Sequence, residues 1–284
     1  MKKILAMLLA LTCLFVFAAC ANDPVTDETE ADTEVSTEAA TEEATEEATE
    51  AATEAPVDDP AVKSEGVMTY AEYAAAALDS EVTIEAYVQA KQGWWEKEGQ
   101  GVATIYTQDT EGAYFLYEMP ISEEDYNKLV DGAKIRVKGY KAEWMGEVEI
   151  IDATYEILEG NYVAEALDVT AKLGTDELIA NQNMFVAFKG MTVAASTDAN
   201  GNEAAFLYNW DGSGSQGNDL YFNVAIGDQV YNFTVESYLC GADTDVYKAV
   251  EALNIGDVID MEGFLYWYDG VNPHITSVTV VTAE

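Results

Sequence analysis

The sequence predicts a mainly β protein: two tandem five-stranded barrels in outline, each with one helix between its third and fourth strands, after a disordered N-terminal tether. Three observations carry that expectation. The stretch 129–140 recurs at 253–264 with a constant offset of 124. Gly132 answers to Gly256, Ile135 to Ile259, Val137 to Met261 and Gly139 to Gly263, and each copy is followed by an aromatic residue and a glycine, Trp144 and Gly146, then Tyr268 and Gly270. Self-similarity at a fixed period marks an internal duplication. Both copies also sit among short runs in which apolar and polar residues alternate, the period of a half-buried strand. Finally, 49% of the 284 residues are hydrophobic, enough for buried cores despite a formal net charge of −40.

Each element has its own signal. Thr69 and Glu72 form a capping box ahead of a short amphipathic helix over 74–78. Val82, Ile84, Ala86 and Val88 alternate as a first strand, and Val186, Phe188 and Gly190 do the same in the second copy. Residues 101–108 and 113–119 are β-rich runs joined by Asp109-Thr110-Glu111-Gly112, a hairpin signal. Ser122 and Asp125 read as a second capping box, with Tyr126, Leu129 and Val130 on one helical face and Gly132 as the stop. Strands over 134–140 and 147–157 follow. The second copy has its helix over 243–253, with Val246, Val250 and Leu253 on one face and Gly256 as the stop, then strands over 258–268 and 274–281.

Three strands, a helix and two strands is the element order of the OB-fold. On that order and on the Gly-x-x-Ile-x-Val-x-Gly run, residues 80–158 and 183–282 resemble this family, and resemble the tandem OB-like domains of uncharacterised bacterial surface lipoproteins. The alternative is another small barrel or sandwich with one helix.

The N-terminus carries an address. Lys2 and Lys3 precede an apolar run over 4–17 that ends in Phe17-Ala18-Ala19-Cys20. A basic start, a short apolar stretch and small residues before a cut form a secretory signal, and the run is short for a membrane span. The closing cysteine resembles the lipobox of bacterial lipoproteins, with Phe17 where that family usually has Leu. The resemblance implies lipidation of Cys20, palmitate included, and an extracytoplasmic, lipid-anchored protein on the cell membrane. An ordinary signal cut, leaving a soluble secreted protein, is the alternative. Residues 21–65 hold 16 acids and one Lys, in repeats of Thr, Glu and Ala. Such a segment cannot form a core, and its self-repulsion makes it a spacer reaching at most about 150 Å. The expected organisation is a signal over 1–19, a disordered linker over 20–65, one barrel over 66–160 and a second over 161–284. Cys13 leaves with the signal, so Cys240 would be the lone thiol of the mature chain.

Candidate ligand-binding residues are aromatic. OB-folds bind on strands 2 and 3, flanked by the loops joining strands 1–2 and 4–5. The resemblance therefore implies that Trp94 and Trp95 in one loop and Trp144 in the other sit at one end of the first barrel, near Tyr106, Tyr114 and Tyr117, with Trp267 and Tyr268 in the equivalent turn of the second. Flat rings with a polar edge suit stacking on sugars or bases. The competing reading has these rings covering the barrel mouths or packing between domains. Lys134, Arg136 and Lys138 alternate on one strand and are read as a solvated face paired with Glu147 and Glu149. Residues 211–219 form a Gly-rich acidic loop in which Asp211, Ser213, Ser215 and Asp219 are weak calcium candidates. They lack EF-hand spacing, so a flexible loop is the stronger reading and no metal is expected.

The charge argues against a nucleic-acid partner, because phosphate surfaces need several cationic contacts. The second copy has three Lys against 18 acids. No cofactor is indicated. One His, one Arg and the absence of nucleophile-elbow or His-Glu-x-x-His patterns argue against an enzyme; a hydrolase is the remote alternative. The function expected is a lipid-anchored, non-catalytic module binding a glycan or other uncharged ligand. The alternative is a structural or protein-interaction module of a surface complex.

Overall fold

The computed structural model describes residues 59–281. The signal, Cys20 and the linker up to residue 58 lie outside the described residues. The last linker residues already belong to the first barrel. Lys63 donates to Asp109 Oδ2 at 2.6 Å and to the Glu85 carbonyl at 2.8 Å, and Asp109 is fully buried.

Helix α1 (Tyr70–Ala75) has the complete Thr69–Glu72 capping box, and it ends before residue 78. The first barrel comprises β1 (Glu81–Lys91), β2 (Gln100–Gln108), β3 (Ala113–Pro120), helix α2 (Glu123–Lys128), β4 (Ala133–Trp144) and β5 (Glu147–Asn161). Pairing runs β1–β2–β3–β5–β4 and back to β1, with β3 and β5 parallel and the other pairs antiparallel. The sheet is therefore closed, which removes its edges. The second barrel repeats this with β6 (Phe185–Ala194), β7 (Leu220–Ile226), β8 (Gln229–Val235), helix α3 (Asp245–Glu251), β9 (Val258–Phe264) and β10 (His274–Val280). Here β6–β7–β8–β10–β9 closes on β6, again with one parallel pair, β8 and β10. Both units thus have the OB-fold strand order with the helix between the third and fourth strands.

The duplicated residues do the same work in both. Gly132 and Gly256 have φ of +84° and +98°, a region glycine enters without steric cost. Each donates its N–H to the first strand of its barrel, Gly132 to Val88 at 2.7 Å and Gly256 to Val193 at 2.9 Å. Neither is a helix stop in the narrow sense, since the helices end at Lys128 and Glu251. Ile135, Val137, Ile259 and Met261 are all buried. Gly139 and Gly263 lie where the fourth strand bulges against the fifth, and a Cβ on Gly263 would fall 2.2 Å from the His274 carbonyl oxygen. The offset of 124 does not persist. Tyr140 pairs with Ile151 and Phe264 with His274, so the fourth strands are offset by 124 and the fifth by 123. His274 answers to Ile151, not to Ile150.

Two local expectations are corrected. Ser122 caps α2 by accepting from Asp125 N at 3.1 Å, but Asp125 turns to Lys128 and Tyr155 instead of closing a box. The basic residues of β4 are paired with other acids than those expected. Arg136 binds Glu85 at 2.7 Å and Glu156 at 2.9 Å, and Lys138 binds Glu81 at 3.0 Å, because β1 flanks β4 on one side and on the other β5 brings Glu156, not Glu147 or Glu149, opposite Arg136. Burial pushes the Glu85 carboxyl up, but hydrogen bonds from Ser64 and Arg136 and the charge of Lys134 outweigh it and leave it below the usual range.

Candidate functional site

Alternation along the strands decides which rings are available. In β2, Ala103 and Ile105 point into the first core, and Tyr106 points outward. In β3, Tyr114 and Leu116 point inward, and Phe115 lies on the outer side opposite Tyr106. The outer face of β2 and β3 is covered by the second barrel. Tyr106 stacks on Phe264 with centroids 4.5 Å apart and meets Phe115 edge to face at 5.0 Å. Its hydroxyl shares a hydrogen bond of 2.7 Å with His274 Nδ1, and Gln108 Oε1 accepts from Phe185 N at 2.8 Å.

Two of the predicted binding residues are thereby corrected. Tyr106 is 1% exposed and serves the seam between barrels. Tyr114 is fully buried in the first core, where its hydroxyl donates to Asp109 at 2.7 Å. The expected grouping of three tryptophans is not found either. Trp144 is exposed at the β4–β5 turn, and that turn meets the second barrel: Asp269 N donates to the Met145 carbonyl at 2.8 Å, and Trp267 N donates to Glu147 Oε2 at 2.9 Å. Trp267 packs against the second core.

The remaining rings do converge. At the rim of the seam lies a cleft of about 600 Å³ walled by Trp94, Trp95, Phe115, Tyr117, Tyr238 and Tyr266, within the size range of small-ligand sites. Trp94 is anchored by Nε1–H donation to the Ile121 carbonyl at 3.0 Å. Trp95, on a short strand Trp95–Lys97 that pairs with β2, is 46% exposed, and Tyr117 is 42% exposed. Glu98 and Gly99, both with positive φ, make the turn that presents this strand. The polar walls are Gln92, Thr104, Glu118, Glu236 and His274. Gln92 Nε2 donates to Glu236 Oε2 at 2.9 Å, tying the two barrels at the cleft floor. Lys97 pairs with Glu118 beside it.

Electrostatics distinguish this region. Burial, then the charge of Asp219, pushes the Glu236 carboxyl up to about 8. Burial raises Glu149 to about 7, with Glu118 adding to it. Glu147, fully buried at the seam, is raised by burial to about 8, and its Oε1 has no hydrogen-bond partner. His274 is held neutral by burial, its pKa lowered to about 3. Cys240 is buried and its thiol is raised to about 11, first by desolvation and then by Glu236, the opposite of a reactive thiolate.

A second cavity of about 530 Å³ lies on the outer face of β7 and β8, with Trp210, Tyr221, Tyr268, Asp219 and Asn232 among its walls. Tyr268 is therefore a cavity residue, while Trp144 lines neither cavity. The calcium candidates are engaged separately: Asp211 accepts from Ser213 N, Ser215 N donates to Asn218, and Asp219 accepts from Ser237. Among the described residues no group of three or more His, Cys, Asp or Glu is placed to hold a metal ion. No helix among them is long and apolar enough to cross a membrane.

Sequence reasoning missed Gln92, Thr104, Phe115, Glu118, Glu236, Tyr238, Tyr266 and His274 as cleft walls. The signal for Phe115 was present: it stands one residue from Tyr114 and so faces the other way on a strand.

No family model matches the chain, and no curated protein matches it in sequence. Solved structures do. A murine DNA-binding protein bound to double-stranded DNA shares 11% identity over 71% of this chain and 97% of that one, with a TM-score of 0.34. A replication protein A heterotrimer bound to single-stranded DNA shares 11% over 77% and 51%, with a TM-score of 0.33. A deletion mutant of the single-stranded DNA-binding protein from Thermus aquaticus shares 11% over 72% and 95%, with a TM-score of 0.23. These are likenesses of fold alone. One expectation is corrected beside them: net charge does not exclude a nucleic-acid partner, since DNA-bound proteins are among the solved structures similar in fold.

Proposed function

We propose that this chain is a ligand-binding module of a lipid-anchored surface protein, and that the rim cleft between the barrels holds a neutral glycan. The observation that supports it is the convergence of Trp95, Tyr117 and Tyr238 around a single cavity, with Trp95 and Tyr238 46% and 74% exposed. Rings left in water at a cavity mouth offer stacking faces for the apolar side of a sugar. Gln92, Thr104 and Glu236 at the floor offer donors and acceptors for hydroxyl groups. Burial of the rest of the β2–β3 face supports a rigid, preformed site.

The anchor belongs to the same reading. Cys20 as the acylated residue would place the barrels at the outer membrane face, and more than one acyl chain is needed for stable attachment. Labelled palmitate incorporation that Cys20→Ala abolishes would establish it.

The experiment for the ligand is an array of glycans and cell-wall polysaccharides probed with the full chain and with Trp95→Ala, with single- and double-stranded oligonucleotides as additional ligands. The reading expects glycan binding weakened at least tenfold by the substitution. Oligonucleotide binding that Trp95→Ala weakens instead, or no glycan binding by the folded chain, would overturn it.

A further inference from the structure

Among the described residues three buried side-chain polar atoms have no hydrogen-bond partner: the Tyr73 hydroxyl, Glu147 Oε1 and Asn183 Oδ1. All three belong to the contact between the barrels. Tyr73 sits in α1 and Glu147 opens β5 of the first barrel, while Asn183 lies in the segment that leads into β6 of the second. Tyr73 and Asn183 are walls of one cavity of about 300 Å³, together with Val148 beside Glu147. The bonds that cross here use one atom of a group and leave its other atom bare. Asn183 Nδ2 donates to the Val148 carbonyl at 2.9 Å, and Glu147 Oε2 accepts from Trp267 N at 2.9 Å and Gln182 Nε2 at 3.3 Å. A buried polar atom without a partner costs free energy that contact with water would restore. Docking of the barrels therefore works against itself at this contact.

The apolar part of the seam is thin. Tyr106, Phe115 and Phe264 are its buried residues, whereas each barrel has a full core of its own. The rim cleft and a further cavity of about 520 Å³, with Ala90, Phe185, Leu239 and Phe264 among its walls, cut into it. The groups facing Glu147 supply no positive charge. They are Tyr73 of α1, Glu149 of β5, Tyr106 of β2 and Tyr266 of the second barrel, all neutral or acidic. Lys141 of β4, beside Tyr73, directs its ammonium to the carbonyls of Tyr73, Ala74 and Ala76. His274 is held neutral by burial, and Glu236 meets a neutral amide, Gln92, across the seam. Burial raises the Glu147 carboxyl to about 8, whereas in water it would ionise near 4.5. Its contribution to docking is thus intact below 4.5 and is lost as pH rises through about 8.

We infer that the seam is a gate: the barrels stay docked while Glu147 is protonated, and part, each still folded, once it takes on a charge that no cation in the seam meets. Parting gives water to Tyr73, Glu147 and Asn183, uncovers Tyr106 and Phe115, and removes the rim cleft, whose walls come from both barrels. The gate goes beyond the glycan reading, because the cleft is lost on parting whatever it holds. A ligand in the cleft binds the docked state alone and so shifts the gate toward closure.

The test is hydroxyl-radical footprinting of the full chain without ligand at about pH 6 and about pH 9, on either side of the Glu147 transition. Rates are normalised to the exposed Tyr140. The gate expects Tyr106 and Phe115 to be labelled at least about tenfold faster at the higher pH. Tyr114 and Leu116 of the first core, and Phe188 and Phe233 of the second, should stay protected at both. Glu147→Gln should shrink the rise at least about threefold, and Glu147→Gln with Glu236→Gln should abolish it. Thermal melts confirm that both variants are folded. Protection of Tyr106 that persists at the higher pH, its loss together with that of the cores, or an equal rise in Glu147→Gln overturns the gate. Since no ligand is present, none of these outcomes touches the glycan reading, which stands or falls on the array.

Discussion

Tyr140 and Phe264 hold the same place in the duplicated stretch. Tyr140 is 44% exposed on the first barrel, whereas Phe264 is 3% exposed and lies against Tyr106 of that barrel. The outer faces of the second and third strands differ in the reverse sense. On β2 and β3 of the first barrel, Thr104, Tyr106, Gln108 and Phe115 are buried by docking. On β7 and β8 of the second, Tyr221, Asn232 and Thr234 line an open cavity. The inward residues kept their character in both copies because each fills a close-packed interior that tolerates little change in volume. The outward residues were free to diverge. In the first barrel the outer face of the second and third strands is spent on the seam, and the cleft lies at the rim of that seam.

Substitution at this shared position has the largest expected effect. Phe264→Ala should cost about 3–5 kcal/mol by opening a cavity in the seam, and should let the barrels melt in two steps. Tyr140→Ala should change stability by about 0.5 kcal/mol or less, as exposed substitutions do. Calorimetry of both variants checks this, and equal losses would show that the seam is not packed as described.

Next in size are the paired glycines. Gly263→Ala should destabilise by about 3 kcal/mol, because the added Cβ meets backbone that cannot swing away. Gly139→Ala, whose Cβ would fall 2.7 Å from the Ile150 Cγ2 methyl and 2.8 Å from the Ile151 carbonyl oxygen, against 2.2 Å from backbone at Gly263, should cost about 2 kcal/mol. Denaturant midpoints measure the order, and a larger loss at Gly139 would contradict the equivalence drawn between the bulges.

The pH dependence sharpens the contrast between the seam and the outer surfaces. Glu147 and Glu236 are raised by burial from 4.5 to about 8, and Glu149 to about 7. A carboxyl whose folded pKa is raised favours the fold when protonated. Its contribution is intact below 4.5 and is lost as pH rises through 7 to 8. His274 works in the other sense: its pKa is lowered from 6.5 to about 3, so its contribution is intact above 6.5 and lost as pH falls toward 3. Stability should therefore peak near about pH 5 and fall by several kcal/mol, on the order of 5 or more, by about pH 9. Glu147→Gln should flatten that fall, since the amide carries no charge to desolvate. A wild-type chain as stable at alkaline pH as at pH 5 would contradict the burial of these groups.

The smallest effect on stability belongs to Trp95→Ala, within about 0.5 kcal/mol, as expected for a half-exposed ring. Its effect on ligand affinity should still be tenfold or more. A large loss of stability would make Trp95 a packing residue and remove the stacking argument.

Most of the architecture was legible because it rests on local signals. Alternation, the Asp109 hairpin, Ser122 and Thr69 as caps, and the repeated Gly-x-x-Ile run each act over a few residues. The binding residues were legible only in part. Trp94, Trp95, Tyr117 and Tyr268 were found from the loops and strand ends they occupy. Tyr114 and Tyr117 were assigned together although they stand three apart, and a period of two puts such residues on opposite faces. Tyr106 could not be resolved this way, because an outward ring looks the same in sequence whether water or a second barrel covers it. The one-residue change of offset between β9 and β10 was hidden for a related reason. It lies beyond the repeated stretch, in a turn whose length carries no pattern, yet it brings His274 rather than an isoleucine to the seam.

The central asymmetry is a face closed in the first barrel and open in the second. Hydroxyl-radical footprinting of the full chain without ligand, read residue by residue by mass spectrometry, measures it. The account predicts that Tyr106 and Phe115 stay unmodified while Trp95, Tyr238, Tyr268 and Trp210 are labelled. Labelling of Tyr106 as fast as Tyr268 would contradict it, because the seam, and the cleft at its rim, would then not exist in solution.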